Sequence, residues 1–346
     1  MTFKLDTGNR KGDLSYGKPR VVIIGGGVAG MSCALWLKQL GLSPEIIERN
    51  ASLGGELQNI DRINRWVLGF QGLSSQELAK QYSNHIIEEA IPVSFNCKLV
   101  EVEKTADDFS VCLQKTDASQ RLLSAQAIVI ATGVRTSGAD VFSKVLGFSD
   151  LFAAGLIGCF PTDHLGQLAL LRGKRVAVIG GGDNAHFTTH DVASVTAHTY
   201  LLMRSPPKAQ KKIRNEVIEL IEQGQVIEFS QVQIVAFSQT EAGIELSFST
   251  LNSVITNVIV DRVFVRIGYT ANSEFLHAFN YLANIKTLSG GYIETDSERH
   301  TSIKSVYAIG DVANSQLQSV VTAIADGAIV ARIIAKDIDN RGELQC

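Results

Sequence analysis

Runs of four or five consecutive apolar residues, each closed by a small-residue turn and followed by helical periodicity, recur along this chain. Val21-Val22-Ile23-Ile24 is apolar at every position instead of at alternate ones, as a strand buried on both faces of a parallel sheet requires. It runs into Gly25-Gly26-Gly27-Val28-Ala29-Gly30, then a predicted helix through Leu40 that stops at Gly41, since a glycine past the last turn is a common helix terminator. A second strand is predicted at Glu45-Ile46-Ile47, ending on Glu48. The same order returns at Arg175-Val176-Ala177-Val178-Ile179, the turn Gly180-Gly181-Gly182-Asp183-Asn184-Ala185, a helix, and the strand Tyr200-Leu201-Leu202-Met203. Ala127-Ile128-Val129-Ile130 running into Ala131-Thr132-Gly133, and Ser305-Val306-Tyr307-Ala308-Ile309 running into Gly310-Asp311, are two more buried strands; a helix is predicted from about Ser319 to Lys336. Strand, turn and helix in alternation define an α/β fold with parallel sheets. Two such units in one chain predict two dinucleotide-binding domains.

A length of 346 residues suits two domains with separate cores. The net charge of −3, with no long run of one sign, provides no electrostatic footprint for nucleic acid. Residues 1–20 are polar and charged, without the apolar core of a secretory leader. The most apolar stretch, Val21 to Leu37, is broken by three glycines and stopped by Lys38, so no membrane span is predicted and a cytoplasmic location is expected. The five cysteines, Cys33, Cys97, Cys112, Cys159 and Cys346, include no close pair, which argues against a disulfide framework and a structural zinc site. His186 and His190 lie four apart on the helix after the second glycine turn but lack a third ligand, so no metal is expected.

The glycine turns carry the chemistry. Gly25, Gly27 and Gly30 match GxGxxG, in which a side-chain-free backbone approaches a pyrophosphate at the positive end of a helix, and Glu48 is placed to accept hydrogen bonds from a ribose. In the second unit Gly180, Gly182, Asp183, Asn184 and Ala185 form the equivalent turn, but the next strand ends on Arg204, with Lys208, Lys211 and Lys212 nearby. A cation there suits the 2′-phosphate of a nicotinamide dinucleotide; a solvated basic helix start is the other reading of the same residues. Asp311 reads either as a helix cap or as a contact with a cofactor edge.

Taken in order, the first glycine turn, Glu48, Gly54-Gly55-Glu56-Leu57, Ala131-Thr132-Gly133, the second glycine turn and Gly310-Asp311-Val312 resemble the thioredoxin reductase family of pyridine nucleotide-disulfide oxidoreductase flavoproteins. The resemblance implies two Rossmann-like domains of the three-layer ββα kind, the second inserted into the first, and a homodimer. It divides the chain into a tail at 1–20, an FAD-binding domain at 21–135 and 268–346, and an NAD(P)-binding domain at 136–267. It implies that Gly25, Gly27, Gly30, Glu48, Gly55, Leu57, Thr132, Gly133 and Asp311 hold FAD, that Gln318, Ser319 and Val320 lie near the isoalloxazine, and that Gly180, Gly182, Asp183, Asn184, Ala185 and Arg204 hold NAD(P)H.

Two departures qualify the resemblance. Where the family has a Cys-x-x-Cys-Asp relay, this chain reads Cys159-Phe160-Pro161-Thr162-Asp163-His164, and Thr162 stands in place of the cysteine that faces the flavin. Threonine forms no disulfide, so the usual relay to thioredoxin is not expected. The family's His-Arg-Arg motif is here Met203-Arg204-Ser205, followed by Pro206-Pro207, and Ser205-Pro206-Pro207 reads as a loop. The expected activity is hydride transfer from NAD(P)H to FAD and onward to ferredoxin or flavodoxin, a quinone or a small oxidant. One alternative is a disulfide reductase using Cys159 alone, with Asp163 or His164 moving the proton. Others are a ferredoxin-fed relative that does not use NAD(P)H, and a flavin-binding sensor with little turnover. Trp36 is expected in the core, Trp66 and Phe70 either packed, covering the flavin or lining an acceptor site, and Cys346 carries no assigned role.

Overall fold

The structure is a computed structural model that describes residues 20–106 and 108–343; residues 1–19 of the polar tail and Cys346 lie outside the described residues, and Arg20 begins the first strand. The chain divides into two compact units, one from the described residues of 1–55, 80–133 and 273–346, the other from 56–79 and 134–272.

In the first unit a five-stranded sheet has the spatial order Val306–Ala308, Ala127–Ile130, Arg20–Ile24, Ser43–Ile47, Val93–Ser94, and all its pairings are parallel. The two central strands bury nearly every side chain, as their continuous apolar runs demand. Ile23, Leu37, Ile46, Val129, Tyr307 and Ile334 join one core between this sheet and the helices Val28–Gln39 and Val320–Glu343, each such side chain contributing about 1.5–3 kcal/mol by burial. The first of these helices ends at Gln39, and Gly41 follows with φ +85°, the left-handed geometry expected of its glycine. Gly327 fixes the crossing of the two helices: a Cβ there would stand 2.6 Å from the Cys33 amide nitrogen and 2.7 Å from the Ala29 carbonyl oxygen. A three-stranded antiparallel sheet, Cys97–Lys104, Phe109–Lys115 and Gln120–Ala125, completes the unit.

The second unit repeats the plan. Its parallel sheet has the order Val226–Ser230, His198–Met203, Arg175–Ile179, Arg262–Val265, Ile157–Gly158. The helices Asp183–Ala193 and Lys211–Glu222 and an antiparallel meander, Gln233–Thr240, Gly243–Ser249 and Ile255–Val260, accompany it. The α/β class with parallel sheets is thus as the hydrophobic pattern predicts.

Residues 56–79 cluster with the second unit, and the junctions between the units fall at 133/134 and 272/273; within the second unit Asn59, Asp61 and Arg62 are hydrogen-bonded to Thr162 and Asp191. Two details differ from expectation. Trp36 is 40 % exposed, not core, because it lies on the face of its helix away from the buried Met31, Ala34 and Leu37. The last helix reaches Glu343, past Lys336. Among the described residues, no helix is long and apolar enough to cross a membrane.

Candidate cofactor and redox site

In the first unit Gly25 has φ +112°, and a Cβ there would overlap the Ala131 carbonyl oxygen; one on Gly30 would overlap the Gly25 carbonyl. Those two glycines are required by the protein's own backbone. Gly27 is different: its φ is −73°, open to any residue, and a Cβ would meet nothing closer than the Gly55 Cα at 3.9 Å. It is the N-cap of the Val28–Gln39 helix, no side chain caps that end, and the first turn holds no acid. A bare, positively polarised helix start with space over it has the donor set and clearance that a pyrophosphate needs.

Glu48 is 5 % exposed, and its carboxylate accepts the Gly26 amide at 2.8 Å and the Asn50 amide at 2.8 Å. Each of the two oxygens keeps a further lone pair able to accept a hydrogen bond. Gly54 donates to the Gly26 carbonyl at 2.9 Å, and Gly55, at φ +55°, stands against Gly27. Leu57 is buried, in the segment that clusters with the second unit. Thr132 borders the first turn and Gly133 has φ +62°. Farther along, Gly310 has φ +69° and a Cβ there would stand 2.7 Å from the Ala29 Cβ, bringing the Gly310–Val312 turn against the Val28–Gln39 helix. Ser319 caps the last helix by accepting the Thr322 amide at 3.2 Å, Gln318 donates to the Tyr292 hydroxyl at 3.0 Å, and Val320 opens the helix half-buried.

The second glycine turn follows the same logic. A Cβ on Gly180, at φ +143°, would overlap the Arg266 carbonyl and come within 3.3 Å of the buried Ala185. Gly182 caps its helix at φ −93° with nothing within 4 Å of a Cβ, a second glycine that neither the backbone nor the packing requires. Both carboxylate oxygens of Asp183 are engaged by Gln210, at 2.7 Å from its amide and 2.8 Å from its side chain, and Lys208 donates its amide to the Gly181 carbonyl at 2.8 Å. Asp183 therefore shapes the loop after the His198–Met203 strand. Asn184 donates to the Tyr269 hydroxyl at 3.3 Å, and Arg204, Lys208, Lys211 and Lys212 are exposed. His186 is buried with Nδ1 on the Gly182 carbonyl at 3.0 Å while His190 is exposed; the described residues hold no cluster of three metal-ligating groups.

Cys159, Thr162, Asp163 and His164 follow the Ile157–Gly158 strand, at the carboxyl edge of the parallel sheet where α/β proteins bind ligands. Cys159 is 4 % exposed and its thiol pKa is pushed up to about 11, mainly by burial, with Asp163 adding to the rise and Arg266 opposing it. The Thr162 hydroxyl donates to the Asn59 carbonyl at 3.1 Å and accepts the Asp61 amide at 3.0 Å. Asp163 forms an ion pair with Arg266, a guanidinium 5 % exposed that also donates to the Gly158 carbonyl at 3.1 Å and to Thr188 Oγ1 at 3.1 Å. Burial pushes Arg266 below its ordinary pKa, and Asp163 opposes that.

His164 is fully buried with Nε2 2.9 Å from Asp191, whose same oxygen accepts from Arg62 at 2.5 Å. Burial holds the imidazole below the usual histidine pKa, aided by Arg266 and Arg62 and opposed by Asp191. Its Nδ1 has no partner among the described residues. Asp163 and His164, one or other of which would move the proton in the alternative that uses Cys159 alone, are each paired with a different ion, Arg266 and Asp191 respectively. Arg266 is the residue that sequence reasoning missed; its signal is a cation closing the buried Arg262–Val265 strand. Arg62 and Asp191 had no comparable signal. Trp66 is 73 % exposed and so is not packed in the core, and Phe70 is half-buried.

The family profile described as "Pyridine nucleotide-disulphide oxidoreductase" matches residues 19–327. The chain belongs to the pyridine nucleotide-disulphide oxidoreductase family. It is an oxidoreductase of the thioredoxin reductase-like kind, a group that uses FAD and NAD(P)H. Thioredoxin reductase of Bacillus subtilis (strain 168) is 28 % identical, covering 93 % of this chain and 96 % of its own length. In fold, the chain is similar to thioredoxin reductase of T. acidophilum, with TM-score 0.75 and 23 % identity over 92 % of this chain and 97 % of that one. It is similar also to the bacillithiol disulfide reductase of Bacillus cereus, with TM-score 0.76 and 19 % identity over 92 % and 99 %.

Proposed function

We propose that this oxidoreductase moves electrons from NAD(P)H through FAD to an acceptor that is not reached through a dithiol: ferredoxin or flavodoxin, a quinone, or a small oxidant. The observation that carries this reading is the state of the 159–162 pair. Cys159 is buried with its thiol pKa raised to about 11, and its would-be partner is a threonine whose hydroxyl is bound on both sides by the Asn59–Asp61 backbone. A relay needs an accessible thiolate and a second sulfur within bonding reach, and Cys159 is the one cysteine between residues 134 and 272. The same burial speaks against the alternative of a disulfide reductase using Cys159 alone.

When bound, FAD supplies the two-electron chemistry, and the chain supplies binding and orientation. In this reading Gly27 and the bare start of the Val28–Gln39 helix bind the FAD pyrophosphate, Glu48 its ribose, and Gly310–Asp311 the ribityl-phosphate side. Gly182 and the start of the Asp183–Ala193 helix bind the NAD(P)H pyrophosphate. Exposed Arg204, at the end of the strand where an acid would take the ribose diol, favours a 2′-phosphate and hence NADPH over NADH. The test is anaerobic stopped-flow mixing of the purified flavoprotein with NADH, NADPH or reduced ferredoxin, followed by a panel of oxidants that includes thioredoxin. Flavin bleaching by NADPH and reoxidation by one of the non-thiol acceptors is the expected outcome. Absence of bleaching by both pyridine nucleotides, or turnover with thioredoxin as good as with any other acceptor, overturns the proposal.

A further inference from the structure

Asp326 lies in the Val320–Glu343 helix, far in sequence from every motif assigned above, and is 3 % exposed. A carboxylate at that depth is costly unless its charge and lone pairs are answered. They are answered from two directions. Oδ1 accepts from Arg299 Nε at 2.9 Å and Nη2 at 2.6 Å, while Oδ2 accepts the Gly310 amide at 3.0 Å. The carboxylate therefore bridges a surface turn and the glycine that opens the Gly310–Asp311 turn.

The partners are placed with effort. Arg299 is a non-glycine residue at φ +68°, a left-handed conformation that L side chains disfavour. Its amide donates to the Asp296 carbonyl at 3.2 Å, and its carbonyl accepts the Ala308 amide at 3.2 Å, in the strand that leads into Gly310. The neighbouring His300 reaches the same helix eleven residues farther on, with Nε2 3.0 Å from Asp337, and Tyr307 donates to that carboxylate at 2.6 Å. On its other side Asp326 adjoins Gly327, whose missing side chain lets the helix touch Ala29 and Cys33, and Gly310 itself faces Ala29. One buried carboxylate thus sits where the Gly310–Asp311 turn meets the helix that starts at the first glycine turn.

We propose that Arg299 and Asp326 are positioning residues for the cofactor. The guanidinium holds the Asp326 carboxylate by Oδ1, Oδ2 of the same carboxylate fixes the Gly310 amide, and the fixed turn aims Asp311 at the ribityl-phosphate side of FAD. The inference rests on the reading above that Asp311 faces FAD. Neither residue touches the reacting atoms. What they set is how tightly, and in what electrostatic surroundings, the flavin is held.

The test measures FAD release from the holoprotein and rebinding to the apoprotein by flavin fluorescence, with the visible absorption spectrum as a second readout. Arg299→Met is expected to weaken FAD binding by about tenfold or more, as loss of a charge-assisted link does, and to shift the flavin band. Asp326→Asn is expected to do the same, Arg299→Lys to recover part of the loss, and Arg332→Met, an exposed change on the same helix, to do nothing. If Arg299→Met lowers only the melting temperature and leaves FAD affinity and spectrum within twofold, the pair is a structural tie and the proposal fails. Asp311→Asn separates the two levels. Weaker FAD binding in Asp311→Asn with none in Arg299→Met rejects the positioning role alone; no effect in Asp311→Asn rejects the underlying placement and this inference with it. Should Arg299→Met not fold, Arg299→Lys against wild type decides by the same two readouts, an unchanged flavin affinity and spectrum counting against the proposal.

Discussion

The Thr162 hydroxyl accepts the Asp61 amide at 3.0 Å, joining positions 101 residues apart in sequence. The same oxygen donates to the Asn59 carbonyl at 3.1 Å, so the residue that replaces a redox cysteine serves as a fastener for the 56–79 segment. Replacing it by Val keeps the shape and removes both bonds. Thr162→Val is expected to lower stability by about 1–3 kcal/mol, the cost of leaving partly buried backbone groups unpaired, while FAD content and flavin reduction by NADPH stay unchanged. Urea unfolding and the flavin absorbance read the two quantities separately.

Cys159 is expected to be a slow thiol. With a pKa of about 11 it is protonated at pH 8, carrying on the order of a hundredfold less thiolate than an ordinary cysteine of pKa about 8.5. Alkylation by iodoacetamide, read by mass at Cys159 in the folded protein, should rise about tenfold per pH unit between pH 7 and 10. Cys159→Ser should leave turnover as it was. Rapid labelling at pH 7 would contradict the burial argument.

Asp163 and Arg266 behave as a buried pair in which each partner justifies the other. Asp163→Asn strands a guanidinium that is 5 % exposed, and such a break costs about 3–5 kcal/mol. The double change Asp163→Asn with Arg266→Met removes the stranded charge, and most of the lost stability is expected to return. Were Asp163 instead a proton carrier, the single variant would lose turnover without losing stability, and the double variant would recover neither.

The glycines divide into two kinds with opposite expected phenotypes. Gly25→Ala forces a side chain onto the Ala131 carbonyl at a left-handed backbone, so it is expected to destabilise the first unit and release FAD together. Gly182→Ala meets nothing in the protein and is expected to fold normally and retain FAD, yet to raise the KM for NADPH at least tenfold by crowding the pyrophosphate. Steady-state kinetics with a fixed acceptor, beside a thermal melt, distinguishes the two.

Much of this was legible along the chain because it is local. A run such as Val21–Ile24 can only be buried on both faces, and a glycine triplet before a helical pattern has few physical uses, so the parallel sheets and both glycine turns follow from short windows of sequence, whereas the missing second cysteine shows only against the pattern of the family the chain resembles. Trp36 shows the limit of that reading: an aromatic in an apolar helix was expected inside, and the helix turned it toward solvent because Met31, Ala34 and Leu37 already supply the buried face.

What tertiary structure decided is the partner of each charge. Asp163 with Arg266, His164 with Asp191 and Arg62, and Asp326 with Arg299 and Gly310 lie 16 to 129 residues apart. Nothing in a local window announces such pairs, because the energy of a buried charge depends on what the fold brings beside it. For the same reason the cysteine at 159 could be counted from the sequence, but only its burial and neighbours decide that it remains a protonated thiol.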